Sequence, residues 1–321
     1  MGGCVKKHKS ILTVLILVLL AESLSLRSYA KEYIPSVSNN YSTLRVPTQI
    51  VKINSSYFIV DSYHNQVIYN GGAGGKLTDW SLMDNRLNQP HAIASDGIVY
   101  MVMDTENNKV SIYEKGNVCF YKLQEFDNIG NRPHYVIYDE ATGLFYAWSS
   151  TTGEMYLFRR EQESTNVVLE NVMQVPSLYG KYVRSFTIEG DLIYLPCVTS
   201  SSIVVVDRYT FEVKAEYPIP ITMAGMNQIT KIQNYFYITV SSDYNDDQKF
   251  ATIIRTPSLE QLSMGCYENI YSKFGKDGVP YYISFFDNYY FMVVIRENGA
   301  SCLYKFNIVE DNIQNIQKIN Y

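Results

Sequence analysis

Apolar residues in this chain come in short bursts separated by small polar clusters. Residues 98–103, 110–113, 144–148, 192–197, 203–207, 235–241 and 289–296 are rich in β-branched and aromatic side chains. They are bounded by Gly, Asn and Asp, a pattern that predicts β-strands. The stretch 89–113 holds three such strands and two tight turns, at Asp96-Gly97 and Glu106-Asn107-Asn108. The same phrase then returns. Arg132-Pro133-His134-Tyr135-Val136-Ile137-Tyr138-Asp139 repeats its opening, and 144–148 and 154–158 repeat its second and third strands. No long apolar face of period 3.6 appears after residue 30, so helices are expected to be scarce.

Pro47, Pro90, Pro133, Val183, Met226 and Pro280 open six comparable units, separated by 43, 43, 50, 43 and 54 residues. A period of about 40–50 residues with several strands per unit is propeller spacing. The two long gaps coincide with polar insertions, residues 161–166 and 243–247. The expected fold is therefore all-β: a six-bladed β-propeller of four-stranded antiparallel blades, one domain over 31–321, with blades starting near 47, 90, 133, 183, 226 and 280. Unit four is expected to have its first strand at 184–189 and its fourth at 211–216. A propeller must close its ring or expose sheet edges. Either 31–46 or the tail 313–321 can supply the outermost strand of the last blade, and the sequence leaves both open.

The N-terminus changes the picture of where the chain works. Lys6, Lys7 and Lys9 precede an apolar run at 11–21, closed by Glu22, and Ser28-Tyr29-Ala30 has the small-x-small form of a cleavage site. This is the pattern of a secretory signal peptide over 1–30, too short to span a bilayer. It predicts a secreted or cell-surface protein with no stable membrane span. The whole chain has 27 basic and 32 acidic residues, net −5. The leader holds Lys6, Lys7, Lys9, Arg27 and Glu22, so the remainder carries 23 basic and 31 acidic residues, net −8. Such a balance, with no basic stripe, argues against nucleic acid as a partner. Cys119, Cys197, Cys266 and Cys302 fit no zinc or redox spacing. Export permits disulfides, with Cys266–Cys302 the first pairing to consider; four packed thiols are the alternative.

Pro90-His91-Ala92-Ile93-Ala94, followed by residues 99–110, resembles an NHL repeat, and residues 59–67 look like the second half of another. Unit three matches moderately; units four to six match only in strand pattern and opening register. NHL-type chains are six-bladed propellers, which agrees with the independent count. The resemblance says little about activity, because one scaffold hosts many roles; peptide- and RNA-binding modules, receptor domains and a few lyases share it.

In a propeller the first strand of each blade lines the axis. Aligning the six openings gives Thr48, His91, His134, Arg184, Asn227 and Tyr281 as a polar ring at the channel mouth. Two imidazoles and a guanidinium on neighbouring blades suit a carboxylate, a phosphate or a sugar acid. In amidating lyases of the family, histidines after a Pro at this register hold zinc, and His91 and His134 match that position. Zinc needs three or four ligands, and the third would have to be His64, in the turn between strands two and three of unit one. Virginiamycin-inactivating lyases use His and Glu, and no Glu lies in this ring. Residues 71–77 fail the phosphate-loop pattern. Asp243, Asp246 and Asp247 lack calcium-loop spacing.

The expectation is thus a binding module. Its channel-mouth ring would take a small anionic or sugar-like molecule, a glycan or a peptide, with no cofactor; zinc and calcium are the alternatives. The rival readings are a metal-assisted lyase or hydrolase using the same ring, and a cell-surface scaffold for a protein partner.

Overall fold

The computed structural model describes residues 31–276, 278–296 and 300–321. The expected signal peptide, 1–30, lies outside the described residues. Strand β1 (Glu32–Ile34) is followed by six four-stranded antiparallel sheets. Blade 1 is β2 (Pro47–Ile53), β3 (Ser56–Asp61), β4 (Gln66–Asn70) and β5 (Ser81–Asp84). Blade 2 is β6 (Ile93–Ser95), β7 (Val99–Asp104), β8 (Lys109–Lys115) and β9 (Phe120–Phe126). Blade 3 is β10 (Pro133–Asp139), β11 (Leu144–Ser149), β12 (Glu154–Arg160) and β13 (Val167–Gln174). Blade 4 is β14 (Thr187–Glu189), β15 (Leu192–Cys197), β16 (Ser202–Asp207) and β17 (Val213–Pro218). Blade 5 is β18 (Met226–Ile232), β19 (Tyr235–Val240), β20 (Thr252–Thr256) and β21 (Glu268–Asn269). Blade 6 is β22 (Val279–Phe286), β23 (Tyr289–Ile295), β24 (Cys302–Val309) and β25 (Asn312–Asn320). The protein is a six-bladed β-propeller with almost no helix. The only α-helix among the described residues is α1 (Leu259–Ser263), capped by Ser258.

The second strands explain the uninterrupted apolar runs. Every residue of β7 and of β11 is buried, because each blade is covered on both faces by its neighbours and the usual in–out alternation is lost. Phe58, Val60 and Val67 of blade 1 pack on Ile93, Tyr100, Val102 and Phe120 of blade 2. Ile203 and Val205 of blade 4 meet Ile229, Phe236 and Ile238 of blade 5 in the same way.

Of the two segments left open for the outermost strand of the last blade, the tail supplies it, β25 pairing along β24. The N-terminal segment goes elsewhere. β1 pairs with β9 on the edge of blade 2, and Ser38 bridges to Ser81 on the edge of blade 1. The segment thus straps two edges that would otherwise offer unpaired backbone. In blade 4, strand one begins only at Thr187 and strand four lies at Val213–Pro218; Val183 makes an isolated bridge to Cys197, and Arg184 falls in the gap. Cys266 and Cys302 are not bridged: Cys119, Cys197 and Cys302 are buried thiols and Cys266 is exposed.

The blades are joined near the axis by a circle of hydrogen bonds onto backbone carbonyls. Thr48 Oγ1 donates to His91 O at 2.7 Å and Thr105 Oγ1 to Pro133 O at 2.8 Å. Trp148 Nε1 donates to Val183 O at 3.2 Å, and Ser185 Oγ to Asn227 O at 2.7 Å. Asn227 Nδ2 donates to Pro280 O at 2.7 Å, and Ser301 Oγ returns to Arg45 O at 3.0 Å. Side-chain amides add to it. Gln49 accepts from Ile93 N at 2.7 Å, and Gln228 holds both Ile283 N, at 2.6 Å, and Ile283 O, at 3.2 Å. Away from the axis, Tyr321 donates to Ala73 O in the glycine-rich 71–75 loop and meets Trp80 edge-on. That loop is therefore a seat for the tail.

Gln228→Leu would leave the buried Ile283 amide without its partner. We expect a loss of about 2–3 kcal/mol, read as a lower urea midpoint with unchanged slope. A loss under about 0.5 kcal/mol, the level of an ordinary surface change, would contradict the role given to this bond.

Candidate functional site

The lead-ins to blades 1 and 2 are pinned before strand one begins. Asp61 accepts from Arg45 N at 3.1 Å and Val46 N at 2.9 Å; Asp104 accepts from Asn88 N at 2.6 Å. Four residues after each Asp stands an Asn in the left-handed region, Asn65 (φ 56°) and Asn108 (φ 53°). Each reaches to the next blade: Asn65 Oδ1 accepts from Gln89 N at 3.0 Å, and Asn108 Oδ1 from Arg132 N at 2.7 Å. Gln89 and Arg132 are themselves left-handed, at φ 48° and 56°, and each precedes a Pro-His pair. The Asp-Asn framework therefore places His91 and His134.

The register of strand one then breaks where the ring residues sit. β-Bulges occur at Pro47/Gln49, Pro133/Tyr135, Met226/Gln228 and Pro280/Ile283, so Thr48, His134 and Asn227 are the extra residues, and Tyr281 is one of two residues, with Tyr282, that stand opposite Val293. His91 precedes β6, and Arg184 lies in the gap before β14. A bulge re-aims a side chain out of the ladder, and here it does so on the axis.

All six openings converge, but not in equal roles. His91 and His134 lie ring against ring, with centroids 3.8 Å apart and planes inclined by 31°. His134 Nε2 lies 3.3 Å from the Tyr281 hydroxyl, a contact between opposite blades. Just below, Tyr135 and Tyr282 meet at 4.7 Å, and Tyr135 meets Phe186 at 5.6 Å, so aromatic rings fill the axis and the mouth is a cup. Arg184 Nη1 donates to Asn227 Oδ1 at 2.8 Å and to Ser241 Oγ at 2.7 Å, with its guanidinium 5.2 Å from the Tyr182 ring centre. Gly225 also faces Arg184 with its carbonyl; a Cβ there would lie 2.3 Å from Ser242 Oγ, so the close approach requires glycine.

A cavity of about 590 Å³ opens above this set. His91, His134, Arg184, Asn227 and Tyr281 line it; Thr48 does not. Thr48 is fully buried, and its short side chain reaches only backbone carbonyls, Val60 O of its own blade and His91 O of blade 2. Asn227 faces the cavity with both polar ends in use, on Arg184 and on Pro280 O, so it positions Arg184. Sequence reasoning missed Arg45, Tyr63, Arg132, Tyr182 and Ser241, which also line the cavity. Arg132 alone carried a signal, since it precedes Pro-His as Gln89 does.

The three-histidine set is not assembled. His64 Nδ1 sits 2.7 Å from Asp61 Oδ2, and its ring stacks on Tyr41 at 3.6 Å; its neighbour Tyr63 is the residue of that turn that reaches the cavity. Among the described residues no group of three His, Cys, Asp or Glu side chains is placed to hold a metal ion. Asp243 instead closes its own loop by accepting from Asn245 N and Asp247 N, both at 2.9 Å, while Asp247 caps a turn at Lys249.

Burial sets the charge state of the histidines. It pushes the His91 imidazole down to about 3, opposed by the bond to Gln89 O and assisted by Arg132 and Arg184. His134, 1 % exposed, is held well below the ordinary range by burial, then by His91, Arg184 and Arg132. Tyr281 is pushed up by burial and keeps its proton. His134 Nδ1 and Arg132 Nε are buried with no hydrogen-bond partner.

No protein-family model matches the chain, and no curated protein matches it. Its fold does match solved structures. A candidate 6-phosphogluconolactonase of Bacteroides fragilis superposes with TM-score 0.62 at 11% identity, over 92% of this chain and 96% of that one. A streptogramin B lyase superposes with TM-score 0.57 at 13% identity, over 92% and 89%. At such identities the likeness is one of fold.

Unfolded histidine takes its proton near pH 6.5, whereas His91 and His134 do so only far below. Between those values the unfolded state binds more protons, so these two residues make stability rise with pH up to about 6.5 and leave it flat above. The melting temperature of His91→Gln should therefore fall less between pH 7 and 4.5 than that of the natural protein, by circular dichroism. Equal falls would contradict a neutral, buried His91.

Proposed function

We propose that the protein is an exported propeller of the NHL type that acts as a binding module, taking a small anionic ligand in the channel-mouth cavity. The Asp61/Asn65 and Asp104/Asn108 framework, at matching places in blades 1 and 2, supports the NHL reading. The leader-like sequence at 1–30 supports export.

The observation that carries the ligand reading is Arg184. Its guanidinium is half-buried at the cavity wall, and among the described residues no carboxylate lies within ion-pair distance of it. Its partners are an amide oxygen, a hydroxyl, a carbonyl and an aromatic ring. A guanidinium kept from water without a counter-charge is costly, and an anion in the cup relieves that cost through charge-assisted, bidentate bonds. The wider lining agrees. In a chain of net charge −5, Arg45, Arg132 and Arg184 line the cavity, and among the described lining residues Asp246 is the single acid, although Arg132 is partly balanced by Glu106 at 2.7 Å. A cation in the same place would face Arg132 and Arg184.

The test is a thermal-shift screen of the full mature chain against phosphate, sulfate, sugar acids and short acidic peptides. At least one should raise the melting temperature. Arg184→Gln should bind that ligand about ten- to a hundredfold more weakly, the equivalent of about 1.5–3 kcal/mol for a bond to a charged group. Undiminished binding by the variant would refute the reading. One equivalent of tightly held zinc or calcium in the purified protein would favour the metal-assisted enzyme instead.

A further inference from the structure

The two walls of the cup have opposite hydrogen-bonding characters. Arg184 can only donate. On the facing blades, His91 is fixed as an acceptor. Its Nδ1 lies 2.8 Å from Gln89 O and 3.0 Å from Thr105 Oγ1. The carbonyl can only accept, and the Thr105 hydroxyl spends its proton on Pro133 O at 2.8 Å, so it too accepts from Nδ1. Both neighbours demand the proton on Nδ1. A neutral ring with that tautomer presents Nε2 as a bare lone pair. Nε2 makes no hydrogen bond to any described residue, and His91 lines the cavity.

A ligand that satisfies both walls needs an anionic group for Arg184 and a neutral O–H or N–H donor for His91. A sulfate dianion or a simple carboxylate has no donor. An ammonium group supplies one but brings a positive charge beside Arg132 and Arg184. A hydroxyl supplies it without charge. Tyr63, Tyr182 and Tyr281 add aromatic surface to the lining, which suits the C–H faces of a pyranose ring, and about 590 Å³ is room enough for one. Resting on the anion-binding reading above, we propose that the cup selects polyhydroxylated carboxylates, that is sugar acids of the hexuronate class, with the carboxylate on Arg184 and a ring hydroxyl donating to His91 Nε2.

Isothermal titration of the full mature chain at one pH and ionic strength, with glucuronate, glucose, acetate and sulfate, tests this without any variant. Glucuronate should bind about tenfold or more tighter than acetate or sulfate, since a site built for a hydroxyl penalises ligands that lack one, and glucose should bind more weakly still. His91→Phe, which keeps a ring but removes the acceptor, should lose about tenfold or more for glucuronate and leave acetate and sulfate within about twofold. Acetate or sulfate binding as tightly as glucuronate would overturn the proposal, as would an acidic peptide that binds tighter. If Arg184→Gln still weakens every anion in that case, the anion site itself stands. If Arg184→Gln weakens none, the anion site falls and the sugar-acid proposal falls with it.

Discussion

Hydrogen bonds that run from blade to blade around the axis constrain everything else in this molecule. Each fixes a side chain of one blade, from its opening or from around the turn between its second and third strands, to a backbone carbonyl of the next, from Thr48 on His91 O round to Ser301 on Arg45 O. The last of these spans 256 residues of sequence. It forms in a ring whose ends are not sewn into a shared sheet. Closure therefore relies on face-to-face packing of blades 1 and 6, on the Ser301 link and on Tyr321 seated against Ala73 and Trp80. The entropy of joining such distant points grows only slowly with their separation, so a few well-placed contacts are enough.

The same circle makes the cup. Thr48 and Asn227 leave their own ladder at bulges to bond to the next blade, and His134 and Tyr281 stand at bulges in the same register. Where the side chain is short, as in Thr48, it serves the ring alone. Where it is longer, as in Asn227, it serves the ring with one end and holds Arg184 with the other. Longer still, His134 and Tyr281 meet across the axis and floor the cavity. Structure and site are one set of residues graded by reach, which is why buried polar atoms without partners, such as His134 Nδ1, persist there.

The propeller was legible because burial on both blade faces writes plain apolar runs, and because turn chemistry repeats at a fixed period. The NHL-like pattern was clear in blades 1 and 2, where an Asp pins the lead-in and an Asn reaches the next blade. It faded afterwards for a physical reason. Ser149 takes the place of the Asp in blade 3, accepting from Asn131 N at 2.8 Å, and Thr199 holds Tyr182 N in blade 4 at 2.9 Å: the bonds survive with different side chains. The six openings were found by register, yet register could not tell Thr48, which is sealed, from His91, which lines the cavity. Arg45, Tyr63 and Tyr182 come from lead-ins and turns whose direction depends on tertiary closure, and no local pattern marks them. The path of residues 31–46 across two blade edges was equally unreadable, since strand-like sequence does not name its partner.

Native-state hydrogen exchange at the Ile93 and Ile283 amides tests the central claim most directly. Gln49 and Gln228 hold these amides across the blade 1–2 and blade 5–6 junctions. A closed ring predicts that both exchange only through global unfolding, with equal opening free energies that match the value from denaturant titration. Blades opening one at a time, as in a linear repeat array, would give two different and lower values, and that result would contradict the account.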